Sequence, residues 1–91
     1  MDMLVVLKAL GDKRRLMILN MLLRHDYCVR SLSRRLGLSE AATSQHLRVL
    51  REAGLLVGEK KGYYRHYKVN REALSKLASQ IEDLARVKGN P

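Results

Sequence analysis

The spacing of apolar residues changes character along the chain, and each change marks an element. Over residues 2–10 (DMLVVLKAL), Met3, Leu4, Val5, Val6, Leu7 and Leu10 leave almost no polar face. That pattern belongs to a helix central to a core or shared with a second chain. Gly11 and Asp12 interrupt it, and Asp12 is placed to N-cap a second helix running to about Arg24. Its apolar stripe is expected on Leu16, Leu19 and Leu23, with Ile18 and Leu22 beside it. HDYC, residues 25–28, reads as a connector able to form a one- or two-residue bridge. Val29, Leu32 and Leu36 then recur at helical spacing, with Arg30, Arg34 and Arg35 on the remaining surface. Gly37 ends that helix, Ser39 caps the next, and Gly54 closes it. A helix, a tight glycine turn and a second helix over residues 29–54 is a helix-turn-helix signature.

From Leu55 the period becomes two. LLVGEKK and YYRHYKV flank Gly62, which predicts a β-hairpin over 55–69 with glycine at its tip. Asn70 caps a last helix, reaching about residue 88, in which Leu74, Leu77, Ile81 and Leu84 occupy a/d heptad positions. The fold expected is mainly α with one small hairpin, a winged helix-turn-helix of order α-α-α-α-β-β-α, in one domain over residues 1–91. The segments 2–10 and 70–88 are expected to join two copies of the chain through Leu4, Leu7, Leu74, Leu77, Ile81 and Leu84. The plainer reading of the last helix is packing onto its own domain. A chain this small buries a limited core, which favours the shared interface.

Charge adds the partner. Lysine and arginine total 18 against 9 acidic residues, a formal net charge of +9, which suits a polyanion. The excess sits in the body of the chain: residues 71–91 hold four basic and three acidic residues and are nearly balanced. Four tyrosines are the only aromatics, and Tyr63, Tyr64 and Tyr67 crowd one segment, a poor platform for stacking single-stranded bases. The single cysteine, Cys28, allows no internal disulfide and fits a cytosolic setting. No apolar run approaches the ~20 residues that span a bilayer, and MDMLVVLKAL lacks the features of a signal peptide. No membrane partner is expected, and the location expected is the cytoplasm, at the nucleoid. None of the three histidines is paired with a nucleophile in a catalytic pattern, so no enzyme and no cofactor are implied.

The helix LSEAATSQHLRVLREAGLL carries the chemistry. With Leu47 at the centre of the buried face, Thr43, Leu50 and Gly54 fall on the same side, at 100° per residue. Ala41, Gln45, Arg48 and Glu52 fall opposite, with Ala42 and Val49 on the shoulder. Such a leading face is smooth and polar. Its alanines let the backbone approach base edges, Gln45 suits adenine, and Arg48 suits guanine or a phosphate. Ser39, Thr43 and Ser44 offer hydroxyls to phosphates at a positive helix N-terminus, and His46 lies at the border, as a phosphate contact or a packing residue. Lys60, Lys61 and Arg65 around Gly62 add a basic wing, which would lie along the DNA backbone or in the minor groove. The plainer reading of those lysines is a solvated edge that discourages strand pairing.

LKALGDKRRLMILNMLL, LGLSEAATSQHLRVLREAGLL and GYYRHYKV closely resemble the ArsR/SmtB family of prokaryotic winged-helix repressors. The resemblance covers nearly the whole chain from about Leu7, and the run from Ser44 to Leu55 is fairly specific. It implies a homodimer built on the first and last helices, bound to an imperfect inverted-repeat operator. It also implies that many members release DNA when a metal or metalloid binds. Lys13 stands where the family often has proline. More important, the family's C-V-C-D-L metal box is matched here by Cys28-Val29-Arg30-Ser31-Leu32, with one thiolate and an arginine in place of the second. No histidine follows His66, so the last-helix zinc or nickel site is missing as well, and one cysteine cannot form the redox bridge of thiol sensors. His25, Asp26 and Cys28 are the residual metal candidates, against a plain reading as helix-end and core residues. His66 is assigned no role, and the inducer is unassigned. The reading is a dimeric, sequence-specific regulator of transcription, as a repressor. The alternatives are a nonspecific architectural DNA-binding protein, a metal-responsive repressor with a non-standard site, and a protein-interaction module.

Overall fold

Short polar side chains start four of the five helices among the described residues by taking up their unpaired N–H groups. Asp2 accepts from the Leu4 amide ahead of α1 (Met3–Leu10), and Asp12 accepts from Arg14 and Arg15 ahead of α2 (Lys13–Arg24). Ser39 caps α4 (Glu40–Glu52) through the Ala42 amide, and Asn70 caps α5 (Arg71–Ala85) through that of Ala73. Among the described residues only α3 (Val29–Leu36) starts without a side-chain cap, from Cys28. The computed structural model describes residues 2–89, so of the range expected for the domain only 1, 90 and 91 lie outside the described residues.

Strands β1 (Leu56–Lys61) and β2 (Tyr64–Val69) pair antiparallel, with Leu56 opposite Val69 and Lys61 opposite Tyr64. Gly62 and Tyr63 form the two-residue turn. Gly62 has φ +62°, and no other residue type has a positive φ among the described residues. A type II′ turn requires that geometry at its first central position, where glycine adopts it without a Cβ penalty. The HDYC connector adds the expected bridge, an antiparallel pairing of Cys28 with His66. Asn70 ties the hairpin's exit to its entry: its amide donates to Leu55 O at 2.8 Å and its side chain to Gly54 O at 3.1 Å.

Val6, Ile18, Leu32, Leu47, Leu50 and Leu55 are almost fully buried, and Leu56, Tyr67, Ala73 and Leu77 extend this core to the hairpin and α5. Two sequence expectations shift. In α2 the buried face is Ile18, Leu19 and Leu22; Leu23 is partly buried and Leu16 is exposed. The helix packs against both α4 and β2, and those neighbours sit on the Ile18–Leu22 side of a broad apolar surface. The heptad seam of α5 also divides. Leu77 lies in the protomer's own core with Ala73, Leu74 is half-buried against it, and Ile81 and Leu84 are exposed. A helix of 15 residues is about 22 Å long, more than one small core covers.

The uncovered apolar surface is continuous in kind with that of α1, where Val6 and Ala9 point inward and Leu4, Val5 and Leu7 are exposed. The chain exposes 6570 Å², whereas a folded monomer of 10.4 kDa exposes about 5,400 Å². Its radius of gyration is 15.0 Å, against about 12 Å for a compact chain of this length. The excess area is of the size that one partner contributes to a stable interface, about 800 Å² or more.

Candidate nucleic-acid interface

Gly37 sets the angle between α3 and α4. Its φ of +67° lies in the left-handed region, which reverses the chain within one residue and closes the end of α3 through Leu38 N–H to Ser33 O at 3.0 Å. At its far end, α4 finishes with Leu55 N–H on Leu50 O and Gly54 N–H on Arg51 O, so the helix is fixed at both ends.

Leu47 and Leu50 seat α4 on the core, and Ala41, Gln45, Arg48 and Glu52 are exposed with Ala42 on the half-buried shoulder, as the periodicity predicts; Ser44, which it does not place, is exposed as well. Thr43 is different. It is fully buried, its Oγ1 lying 2.8 Å from Ser33 Oγ and 3.0 Å from Ser39 O, while Ser33 Oγ also lies 2.8 Å from Val29 O. Its hydroxyl is therefore spent joining α3 to α4, which corrects its expected place among the phosphate contacts. Thr43→Val should cost about 0.5–1.5 kcal/mol in denaturant unfolding, because it removes the hydroxyl link between α3 and α4 while Ser33 keeps Val29 O as its acceptor. It should leave the salt dependence of DNA binding unchanged. Ser39 is exposed, and its oxygen accepts from Ala42 while its hydroxyl proton is available outward.

Arg48 Nε donates to Glu52 Oε1 at 2.9 Å, with both side chains about three-fifths exposed. An ion pair in water at that exposure is worth little, so the guanidinium exchanges readily to another anion. His46 is half-buried, and its Nδ1 lies 3.5 Å from Arg15 Nη1.

The pleat splits the wing's three cations. Lys60 and Arg65 are directly opposite across the strands and share a face. Both are exposed, and neither makes an ion pair among the described residues. Like charges so placed repel unless an anion lies between them, which is the position a phosphate would take. Lys61 points to the other face and donates to Asp26 Oδ2 at 2.9 Å. His66, on that same face, places Nδ1 2.8 Å from Asp26 Oδ1, and since an ionised carboxylate only accepts, Nδ1 carries the proton. Asp26 thus fastens the hairpin to the α2–α3 connector, and His66, which the sequence left without a role, is half of the fastening.

Hydrogen bonds from Lys61 and then His66 hold the Asp26 carboxyl below its ordinary value of 3.8, and Asp26 correspondingly raises Lys61. A carboxyl whose folded pKa is lowered favours the folded form above its unfolded value. The fastening should be complete above about pH 3.8 and should be lost as pH falls through the lower folded value. Amide exchange in residues 64–69 should therefore accelerate in that acid range, and Asp26→Asn should remove the dependence.

The residual metal candidates are not assembled. Asp26 is engaged by Lys61 and His66, His25 packs edge-on to Tyr27 with ring centroids 5.9 Å apart, and Cys28 is half-buried at the start of α3. Among the described residues no three His, Cys, Asp or Glu side chains are grouped to hold a metal ion. Likewise, no helix among them is long and apolar enough to cross a membrane.

A glycine-turned helix pair presenting a small, polar helix face, with a basic hairpin beside it, is the architecture of a winged helix-turn-helix DNA-binding protein. Comparison with known proteins narrows the class. Residues 12–57, half of the chain, match the family described as "Bacterial regulatory protein, arsR family". The HTH-type transcriptional regulator YbzH of Bacillus subtilis is 33% identical over 90% of this chain and 97% of its own length. An ArsR-like transcriptional regulator from Rhodococcus sp. RHA1 superposes with a TM-score of 0.83 and 34% identity, covering 91% of this chain and 78% of that one. The homodimeric winged helix-turn-helix DNA-binding domain of Mb0332 from Mycobacterium bovis gives a TM-score of 0.73 at 25% identity, covering 96% and 82%. The chain belongs to the ArsR family of bacterial regulatory proteins and is a DNA-binding transcriptional regulator.

Proposed function

We propose that the protein is a homodimeric repressor that occupies an inverted-repeat operator through one α4 per half-site. The exposed row Ala41, Ser44, Gln45 and Arg48 on a helix anchored by Leu47 and Leu50 carries the reading. In it, Gln45 reads adenine, Arg48 leaves Glu52 for guanine or a phosphate, and Ala41 and Ala42 lie against the groove floor. Ser39, Ser44 and His46 face phosphates near the helix N-terminus, and Lys60 and Arg65 bracket the flanking backbone. Lys61 acts first on Asp26, holding the wing in place.

The dimer forms through Leu4, Leu7, Ile81 and Leu84, with Leu74 at its margin. Support comes from the apolar area left uncovered on α1 and α5 and from the homodimer formed by the Mycobacterium bovis domain. The protein acts on the chromosome in the cytoplasm, as one domain over residues 1–91, and represses by excluding polymerase from the operator. Genome-wide mapping of bound DNA tests this. The recovered sites should share an inverted repeat whose half-sites lie about one helical turn apart, ~10 bp. Sites with a single unpaired half-site would contradict the dimer. A nonspecific architectural role predicts no shared sequence at all.

A further inference from the structure

Gly11 ends α1, and its N–H reaches Leu7 O at 2.9 Å and Lys8 O at 3.3 Å, so the carbonyls beyond them lack a partner from the helix itself. Arg15, in the first turn of α2, folds back over them. Its Nε donates to Ala9 O at 2.6 Å and its Nη2 to Lys8 O at 3.3 Å. From the same plane, Nη1 reaches His46 Nδ1 on α4 at 3.5 Å and stands 4.0 Å from Asp12 Oδ2, the cap of α2. Only 18% of the side chain is exposed. One guanidinium therefore meets α1, α2 and α4 together.

The contact with His46 has a chemical consequence. A guanidinium has N–H donors and no acceptor, so His46 Nδ1 must accept, and the neutral ring carries its proton on Nε2. No hydrogen bond engages Nε2 among the described residues, and no buried side-chain nitrogen there lacks a partner. Nε2 is consequently not sealed from solvent, and it belongs to a half-buried residue that follows Gln45 on the helix proposed to enter the groove.

We propose that Arg15 is a positioning residue for DNA binding. It closes the C-terminus of α1, fixes α4 against the helix that forms the dimer, and holds His46 with Nε2–H turned outward to donate to a DNA phosphate. The proposal rests on the DNA-binding reading above. Arg15 itself is turned inward and meets no phosphate. Lysine cannot replace it, because an ammonium offers its donors from one point where the guanidinium spans Ala9, Lys8 and His46 in one plane.

Two measurements test the proposal, one of them without DNA. Nitrogen NMR of the His46 ring, at a pH where it is neutral, should show Nδ1 unprotonated and Nε2 protonated. Arg15→Lys should yield a mixture of tautomers. A ring protonated on Nδ1 in the unsubstituted protein would overturn the Arg15–His46 contact. On a duplex carrying a mapped site, Arg15→Lys and the uncharged Arg15→Gln should each lose about tenfold in affinity, while the salt slope of Arg15→Gln stays that of the unsubstituted protein. A slope reduced by about one unit would mean that Arg15 touches a phosphate directly, and would overturn its positioning role.

If Arg15→Lys fails to fold, His46 decides with Arg15 intact. His46→Phe should lose affinity with the salt slope unchanged, because a neutral imidazole releases no counterion, and His46→Gln, whose amide N–H can take the place of Nε2–H, should recover most of the affinity. His46→Phe binding as tightly as the unsubstituted protein would overturn the phosphate contact. An unsubstituted protein that binds no DNA would instead remove the underlying reading, while the tautomer would still decide the Arg15–His46 contact on its own.

Discussion

Leu84→Asp should leave a folded chain that is monomeric and holds its operator about 10²–10⁴-fold more weakly. Leu84 is 59% exposed on the half of α5 that projects beyond the core, and Ile81 beside it is 45% exposed. An aspartate there disturbs no packing within the protomer, but in the dimer it would bury a charge without a partner. Each α4 would then bind its half-site alone, losing the gain that linkage brings to two joined sites, about 10²–10⁴-fold. Sedimentation and DNA titration on the same sample check both halves of the prediction. Leu77→Asp is the informative contrast. Leu77 is buried in the protomer's own core, so its substitution should unfold the chain instead of splitting a dimer. A Leu84→Asp protein that remains dimeric would place the interface elsewhere.

Gln45→Ala should cost about 1–3 kcal/mol on the operator and relax base preference at one position of each half-site. Gln45 is exposed and has no hydrogen-bonding partner among the described residues. Truncating it should not affect folding. Equal loss on operator and on unrelated DNA would show that Gln45 meets the backbone and reads no base. Arg48 is a harder residue to interpret by truncation, since removing it also frees Glu52 from its ion pair and adds an unopposed negative charge near the DNA.

Local patterns carried the outline of the fold because the signals are local. The glycines at 37 and 62, the caps at Asp12, Ser39 and Asn70, and the switch of period at Leu55 all stand where the structure has its turns and helix starts. The same holds for the exposed row on α4, which follows from placing Leu47 inward. Thr43 escaped because its helical position faces in while its chemistry suggests a phosphate contact. Its partner, Ser33, lies ten residues earlier on another helix, and only the packing of α3 on α4 decides between the two readings.

Long-range pairs account for the remaining differences. Asp26 and His66 are 40 positions apart, and nothing in either neighbourhood announces the other. The split of the wing's charges was more accessible, since alternate residues of a strand point to opposite faces and Lys60 and Lys61 are consecutive. Arg15 had a weak local signal: a long cation soon after a helix-breaking glycine can reach back to the carbonyls that the break exposes. The heptad run of α5 misled for a different reason. Its period is the same whether a residue packs on its own domain or on a partner, and the boundary between Leu77 and Ile81 depends on how far the core reaches along the helix.

A surface with the +9 net charge of this chain attracts any polyanion; α4 is proposed to add selection of a sequence. Competition of a labelled duplex carrying a mapped site against unlabelled bulk DNA, at physiological salt, tests it most directly. A sequence-specific regulator should keep a preference of about 10³-fold or more for its site. Displacement by bulk DNA in proportion to its mass, with no preference for the mapped site, would contradict the account.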